Sequence, residues 1–216
     1  IGVMAGYYQA WSGGTIYRSQ DASQTWEDLQ SFAAPCTYGF ARDTLPANPG
    51  TLINYGDTLR VDLVAGELES VTEAQMLNGA NVCAYGKNGR MEVLRFMTAT
   101  LEMDGSYTIS GLWRGDFGSE WAAGLHEVGD VFALLNDSDA ATITMAQGQI
   151  GVPIDYRGIT SGDDIDTDSS RTIVYAGANL ECLSPCHASA TGKTLGDVTI
   201  TWHRRSRING WRDYVD

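Results

Sequence analysis

Tyr107-Thr-Ile-Ser-Gly-Leu-Trp-Arg-Gly-Asp-Phe-Gly-Ser-Glu-Trp121 is the stretch whose reading decides the fold. Tyr107, Ile109, Gly111 and Trp113 alternate with Thr108, Ser110 and Leu112, the period-2 pattern of a strand with one buried face. Arg114-Gly115 and Phe117-Gly118 then break it, because glycine supplies the positive φ that tight reversals need. A strand running into an irregular knuckle that carries Arg114, Asp116 and Glu120 is therefore expected. Upstream, Asp104-Gly105 reads as a hairpin turn and Met91 to Met103 as the strand feeding it. Val82-Cys-Ala-Tyr85 pairs with that strand in turn, across Gly86 to Gly89. Leu59-Arg-Val-Asp-Leu-Val64 alternates cleanly, and Glu69 to Leu77 is the best helical segment, with Ser70 or Thr72 to cap it and Asn78-Gly79 to end it.

With 216 residues, 43% of them hydrophobic, the chain can bury a substantial core. Twenty-five glycines and 10% aromatics favour a turn-rich, mostly β protein over a helical bundle. No window approaches the roughly 18 continuous apolar residues of a membrane-spanning helix. The start lacks a basic, then apolar, leader, and it opens on Ile1 instead of Met, so a fragment of a longer protein is expected. Fourteen Lys and Arg against 27 Asp and Glu leave a formal charge of −13. That opposes binding to nucleic acid, whose affinity rests on basic residues neutralising phosphates. Cys36, Cys83, Cys182 and Cys186 permit three disulfide pairings; Cys182-x3-Cys186 with His187 lacks zinc-ribbon spacing, and no metal or other cofactor is expected.

Along the rest of the chain, Val3 to Ala10, Thr15 to Ser19, Tyr38 to Ala41, His126 to Leu135, Ala141 to Ala146 and Ile150 to Tyr156 read as strands. Ser19-Gln-Asp-Ala-Ser-Gln-Thr-Trp26 nearly spells the Asp-box of sialidases, S-x-D-x-G-x-T-W, with Ser23 in the glycine position. It reads as a hairpin clasp in which Asp21 accepts from turn amides. Asp164-x-Asp166-x-Asp168 opens like a calcium loop, but Ser169 and Tyr175 stand where Gly and Glu are required, so a solvated loop is expected. Asn136 to Asp139 reads as a turn. Leu183-Ser-Pro-Cys-His marks a linker, and Asp197 to Arg204 alternates so as to bury Val198, Ile200 and Trp202.

Chemistry is scarce. Asp116 and Glu120 could be a carboxylate pair, but neither a nucleophile elbow, a metalloprotease helix nor a phosphate loop occurs, so a non-enzyme is expected. Trp113, Trp202 and Trp26 read as core, whereas Trp11, Trp121 and Trp211 lie beside glycines or loops and are the surface aromatic candidates.

Three segments in order carry a family resemblance. They are Glu92 to Leu101 (E-x-[IL]-x-F-x-x-A-x-L), Tyr107 to Glu120 (Y-x-[IL]-S-x-L-x-R-G, a glycine loop and G-[ST]-E) and His126 to Leu135 (H-x-x-G-x-x-F-x-L-L). Together they resemble distal tail-tip proteins (baseplate or host-specificity proteins, "megatron"-like) of long-tailed phages and gene transfer agents. Trp202 to Asp213 adds a W-x-R-R-x-R-x-x-G-x-W-R-D match, at the point where that family begins a fibronectin type III module.

The resemblance implies an antiparallel β-sandwich or barrel-like domain over residues 1–181, a linker over 182–196, and the first strands of a fibronectin-like module over 197–216. It implies a virion component of the phage tail, assembled in the host cytoplasm and extracellular after release, joining the tail hub to distal-tail, fibre and host-recognition parts. A homotrimer, host attachment and genome delivery follow from the same resemblance. Arg114, Asp116, Glu120, Arg204, Arg205 and Arg207 would then be interface or loop-fixing residues. The alternative class is a carbohydrate- or receptor-binding module acting on the host surface. A sialidase-like hydrolase rests only on the single Asp-box.

Overall fold

In the computed structural model, the described residues are 2–4, 11–48, 52–135, 140–181, 185–192 and 196–203. The strands are β1 (Gly2–Val3), β2 (Gly14–Ser19), β3 (Glu27–Phe32), β4 (Tyr38–Ala41), β5 (Leu59–Ala65), β6 (Val82–Gly86) and β7 (Glu92–Leu101). They continue as β8 (Tyr107–Asp116), β9 (Val131–Leu134), β10 (Ala140–Ala141), β11 (Pro153–Thr160), β12 (Arg171–Val174), β13 (Cys186–Gly192) and β14 (Val198–His203). One short helix, α1 (Glu73–Leu77), lies between β5 and β6. Two compact units divide the chain, 1–176 and 177–216.

The fold is mostly β, with every pairing antiparallel, and its centre is a closed barrel in the order β4-β5-β8-β7-β6-β9. Closure leaves no open sheet edge and encloses a core of Leu59, Val61, Tyr85, Leu94, Phe96, Ile109, Leu112 and Phe132. β7 and β8 form its longest hairpin. The turn between them is tied by Asp104, whose Oδ1 accepts from the Ser106 amide and hydroxyl at 3.1 and 2.7 Å. Thr72 and Gln75 close a capping box on α1, and Asn78 ends it.

β8 departs from simple alternation. Gly111 takes a φ of +66°, and the burial phase inverts there. Ile109 and Leu112 are both fully buried, Trp113 is half-buried, and Arg114 follows Leu112 inward. The strand also runs through the expected knuckle as far as Asp116.

A second sheet, β12-β11-β2-β3, packs Ile16 and Phe32 with Met4, Trp11, Leu29 and Tyr156. The Asp-box segment clasps β2 to β3 as the spacing implies. Asp21 accepts from the amides of Gln24 and Thr25 and from the Thr25 hydroxyl, and Ala22 and Ser23 take positive φ. These bonds pull the Asp21 carboxyl down to about 2, the Thr25 hydroxyl contributing most. Among the described residues β10 covers Ala140 and Ala141 and pairs with β1. β9 starts only at Val131, after the turn at Gly129, and β11 starts three residues later than expected, after the turn at Gly151.

Within 177–216, β13 and β14 make a two-stranded hairpin. β13 occupies part of the stretch read as linker, since its small Ala, Ser and Thr residues pair with β14. Val198, Ile200 and Trp202, expected to be buried, are exposed, because a two-stranded sheet has no opposing layer among the described residues. Most of the expected strand Val3 to Ala10, the turn Asn136 to Asp139, Cys182, Arg204, Arg205, Arg207 and Trp211 lie outside the described residues.

Candidate functional site: a buried ionic cluster and the connection it anchors

Two inward positions of the barrel carry charge where alternation calls for apolar residues. Glu92 shares the inward phase of β7 with Leu94 and Phe96; Arg114 shares that of β8 with Leu112. Both side chains are sealed from solvent and meet as a two-pronged pair, Arg114 Nε to Glu92 Oε1 and Nη2 to Oε2, each 2.7 Å. The fork geometry of guanidinium and carboxylate favours this arrangement. The Gly115 amide donates to Glu92 Oε1 at 2.9 Å, and Arg114 donates from both terminal nitrogens to the Pro46 carbonyl at 3.3 Å.

His126 completes the coordination of Glu92. Its Nε2 lies 2.7 Å from Glu92 Oε2, and because a carboxylate only accepts, Nε2 carries the hydrogen. The imidazole stacks on Tyr85 with centroids 3.9 Å apart, and the Tyr85 hydroxyl donates to the Asp43 carbonyl at 3.0 Å. Its other ring nitrogen, Nδ1, faces Asp130 Oδ2 at 3.7 Å, beyond hydrogen-bond distance. Asp130, itself buried, is gripped by Arg90 (Nη2 to Oδ1, 2.7 Å) and accepts from the Glu127 amide at 2.9 Å. Arg90 also donates to the Leu125 carbonyl at 2.7 Å.

Burial alone would raise the Glu92 carboxyl. The bonds from His126, Arg114 and Gly115 prevail and hold it below its ordinary value. Asp130 behaves alike: burial pushes it up, and Arg90 with the Glu127 amide pulls it further down. The Glu92 and Asp130 carboxylates are thus held ionised, while His126 Nδ1 is buried without a hydrogen-bond partner among the described residues. The cluster bonds loop backbone groups that no strand pairs: the Pro46 carbonyl before β5, and the Leu125 carbonyl and Glu127 amide before β9.

The predicted site residues separate accordingly. Arg114 is buried, bonded to Glu92 and to the Pro46 carbonyl. Asp116 lies on the outer side and pairs with Arg95, whose Nε donates to its Oδ2 at 2.6 Å. Arg95 also donates to the Met76 and Leu77 carbonyls at 3.1 Å, satisfying the C-terminal end of α1, and sits 5.8 Å from the Phe117 ring centroid. Glu120 stands in a 3-10 turn, Glu120–Ala122, with its backbone packed against Gly115. These three residues therefore do not converge on one cleft. Trp121 is exposed as expected, but Trp11 packs into the second sheet and bonds Thr160 at 3.4 Å. Trp26, read as core, is half-buried beneath the Arg157 guanidinium, 4.5 Å from its ring centroid.

Glu92, His126, Arg90 and Asp130 were missed as a group. The available signal was a charge on the inward phase of two neighbouring strands, one acidic and one basic. Among the described residues, no three His, Cys, Asp or Glu side chains are arranged to hold a metal, and the Cys36 and Cys83 side chains are buried. No helix there is long and apolar enough to cross a membrane. The three sequence segments quoted at the outset supply Glu92, Arg114 and His126, so their polar residues meet in one contact. No curated protein matches the chain. Residues 36–133 match the family model described as Rcc01698-like, C-terminal, and that segment is the barrel, from two residues before β4 to the third residue of β9.

Proposed function

We propose that this chain is a non-enzymatic structural component of a phage or gene-transfer-agent tail tip, linking the tail hub to host-recognition parts. One observation carries the reading. The ordered motifs that resemble tail-tip proteins spend their polar residues on locking the barrel, which is what a load-transmitting scaffold requires. Glu92 and Arg114, the charged residues with the strongest motif match, are sealed from solvent and cannot reach a substrate. Asp116, one of the two carboxylates paired in the sequence reading, is held by Arg95. The family match over the barrel supports the same reading.

The test is to tag the chain in a producing strain and fractionate particles. The reading expects the tag to co-sediment with tails and gold label to sit at the distal end. Recovery of the chain apart from particles, with specific binding of the isolated protein on a glycan array, would replace this reading with a host-surface binding module. The exposed Trp121 is the observation that keeps that second reading in play.

A further inference from the structure

Asn-Gly pairs stand at 78–79, 88–89 and 209–210, the last outside the described residues. In such a pair the glycine nitrogen can reach the asparagine carboxamide carbon and close a ring, and no Cβ hinders its approach. Both described pairs are exposed, so sequence and solvent access treat them alike. Hydrogen bonding separates them. Asn78 closes α1, its amide donating to the Ala74 carbonyl at 3.1 Å, and the Gly79 amide donates to the Met76 carbonyl at 3.1 Å. The Gly79 nitrogen is therefore engaged and held at the helix end.

Asn88-Gly89 forms the tip of the β6–β7 hairpin, with φ of +54° and +84°, the positive values of a two-residue reversal. One bond closes that reversal, from the Arg90 amide to the Lys87 carbonyl at 3.2 Å. Among the described residues neither the Asn88 carboxamide nor the Gly89 amide has a hydrogen-bond partner. Open space surrounds Gly89, where an added Cβ would meet nothing within 4 Å. Nucleophile and electrophile are thus adjacent, solvated and free to turn towards each other when the single bond opens.

We infer that Asn88 is a self-modification site, which cyclises with the Gly89 amide and ends as an acidic residue that loosens the neighbouring ionic cluster. Hydroxide takes the Gly89 amide proton, and the nitrogen attacks Asn88 Cγ. The N–Cγ bond forms, and the Cγ–Nδ2 bond breaks as ammonia leaves. Water then opens the cyclic imide. Opening at Cγ gives aspartate; opening at the main-chain carbonyl gives isoaspartate, whose backbone runs through Cβ and Cγ. Either product places a carboxylate two residues before Arg90, whose Nη2 holds Asp130 at 2.7 Å and Glu127 at 2.8 Å. Isoaspartate also lengthens the reversal by one methylene, which breaks the Arg90–Lys87 bond and slackens the grip of Arg90 on Asp130. This chemistry does not depend on what the chain assembles with.

The test incubates the full chain in mildly alkaline buffer, maps its chymotryptic peptides by mass spectrometry and counts isoaspartate by enzymatic methyl transfer. In the folded chain Asn88 is expected to convert about tenfold faster than Asn78, the margin set by the bond on the Gly79 amide. In urea the two pairs should convert at similar rates, because only the fold distinguishes them. Asn88→Gly keeps the positive φ and removes the carboxamide, so it should melt like the parent and form no isoaspartate at 88. The isoaspartate-bearing fraction of the parent should melt below the untreated chain. Equal rates at 78 and 88 in the folded chain, or conversion at 88 in urea alone, would overturn the proposal. So would an isoaspartate fraction that melts like the untreated chain.

Discussion

Arg114 and Glu92 illustrate how a buried ion pair acts on stability. Desolvating both ions offsets most of their attraction, so the pair adds little over an apolar pair of the same shape. Removing one partner is different, because the other charge is left buried. Arg114→Met is therefore expected to lower unfolding free energy by about 3–5 kcal/mol in urea titration, while a double variant with Glu92→Gln should recover part of that loss. Recovery near zero would mean that Arg114 acts through its Pro46 bonds instead. The same group contributes to the acid response, together with the depressed carboxylates of Asp21, Asp104 and Asp155. Glu92 and Asp130 have folded-state values depressed below their ordinary 4.5 and 3.8. Their stabilisation is thus present above those values and disappears as pH falls through the lower, folded ones. Thermal melts should hold steady from neutral pH to about 5 and drop steeply below 4, and Glu92→Gln should blunt that drop.

At the level of the element, β8 owes its shape to two glycines with φ of +66°. Gly111 inverts the inward phase, and Gly115 lets the strand end turn against the Glu120–Ala122 turn. A Cβ at 115 would lie 2.7 Å from Glu120 Cβ and 2.8 Å from its Cα. Gly115→Ala should therefore cost about 2 kcal/mol or more, combining left-handed strain with a backbone clash. Gly105→Ala, at a φ of +84° with nothing within 4 Å of the added methyl, carries only the conformational part, about 1 kcal/mol. Equal losses in chemical denaturation would show that packing at 115 is irrelevant.

For the molecule as a whole, the barrel core draws its buried residues from 41 to 134. The second sheet keeps a separate cluster around Ile16 and Phe32. A barrel closed on itself has no edge waiting for another strand, and its connections are fastened by the internal ionic cluster. Residues 36–135 alone are therefore expected to fold cooperatively, with a dispersed amide spectrum and a single melting transition. A collapsed spectrum would mean that the second sheet is an obligate part of the barrel's support.

The sequence by itself determined most of the strands, the β7–β8 hairpin and its turn, the capped α1 and the Asp-box clasp, because each depends on neighbours a few residues away. Periodicity, glycine placement and capping chemistry are local and can be read along the chain. Only the tertiary structure decided that six of those strands close into a barrel, that Gly111 turns Leu112 and Arg114 inward, and that Trp11 is packed while Trp202 is bare. It alone brought Glu92, Arg114, His126 and Asp130 together. Those outcomes rest on strand order, shear and long-range charge pairing between residues tens of positions apart, and the alternation of a single strand carries no record of which partner lies across the core.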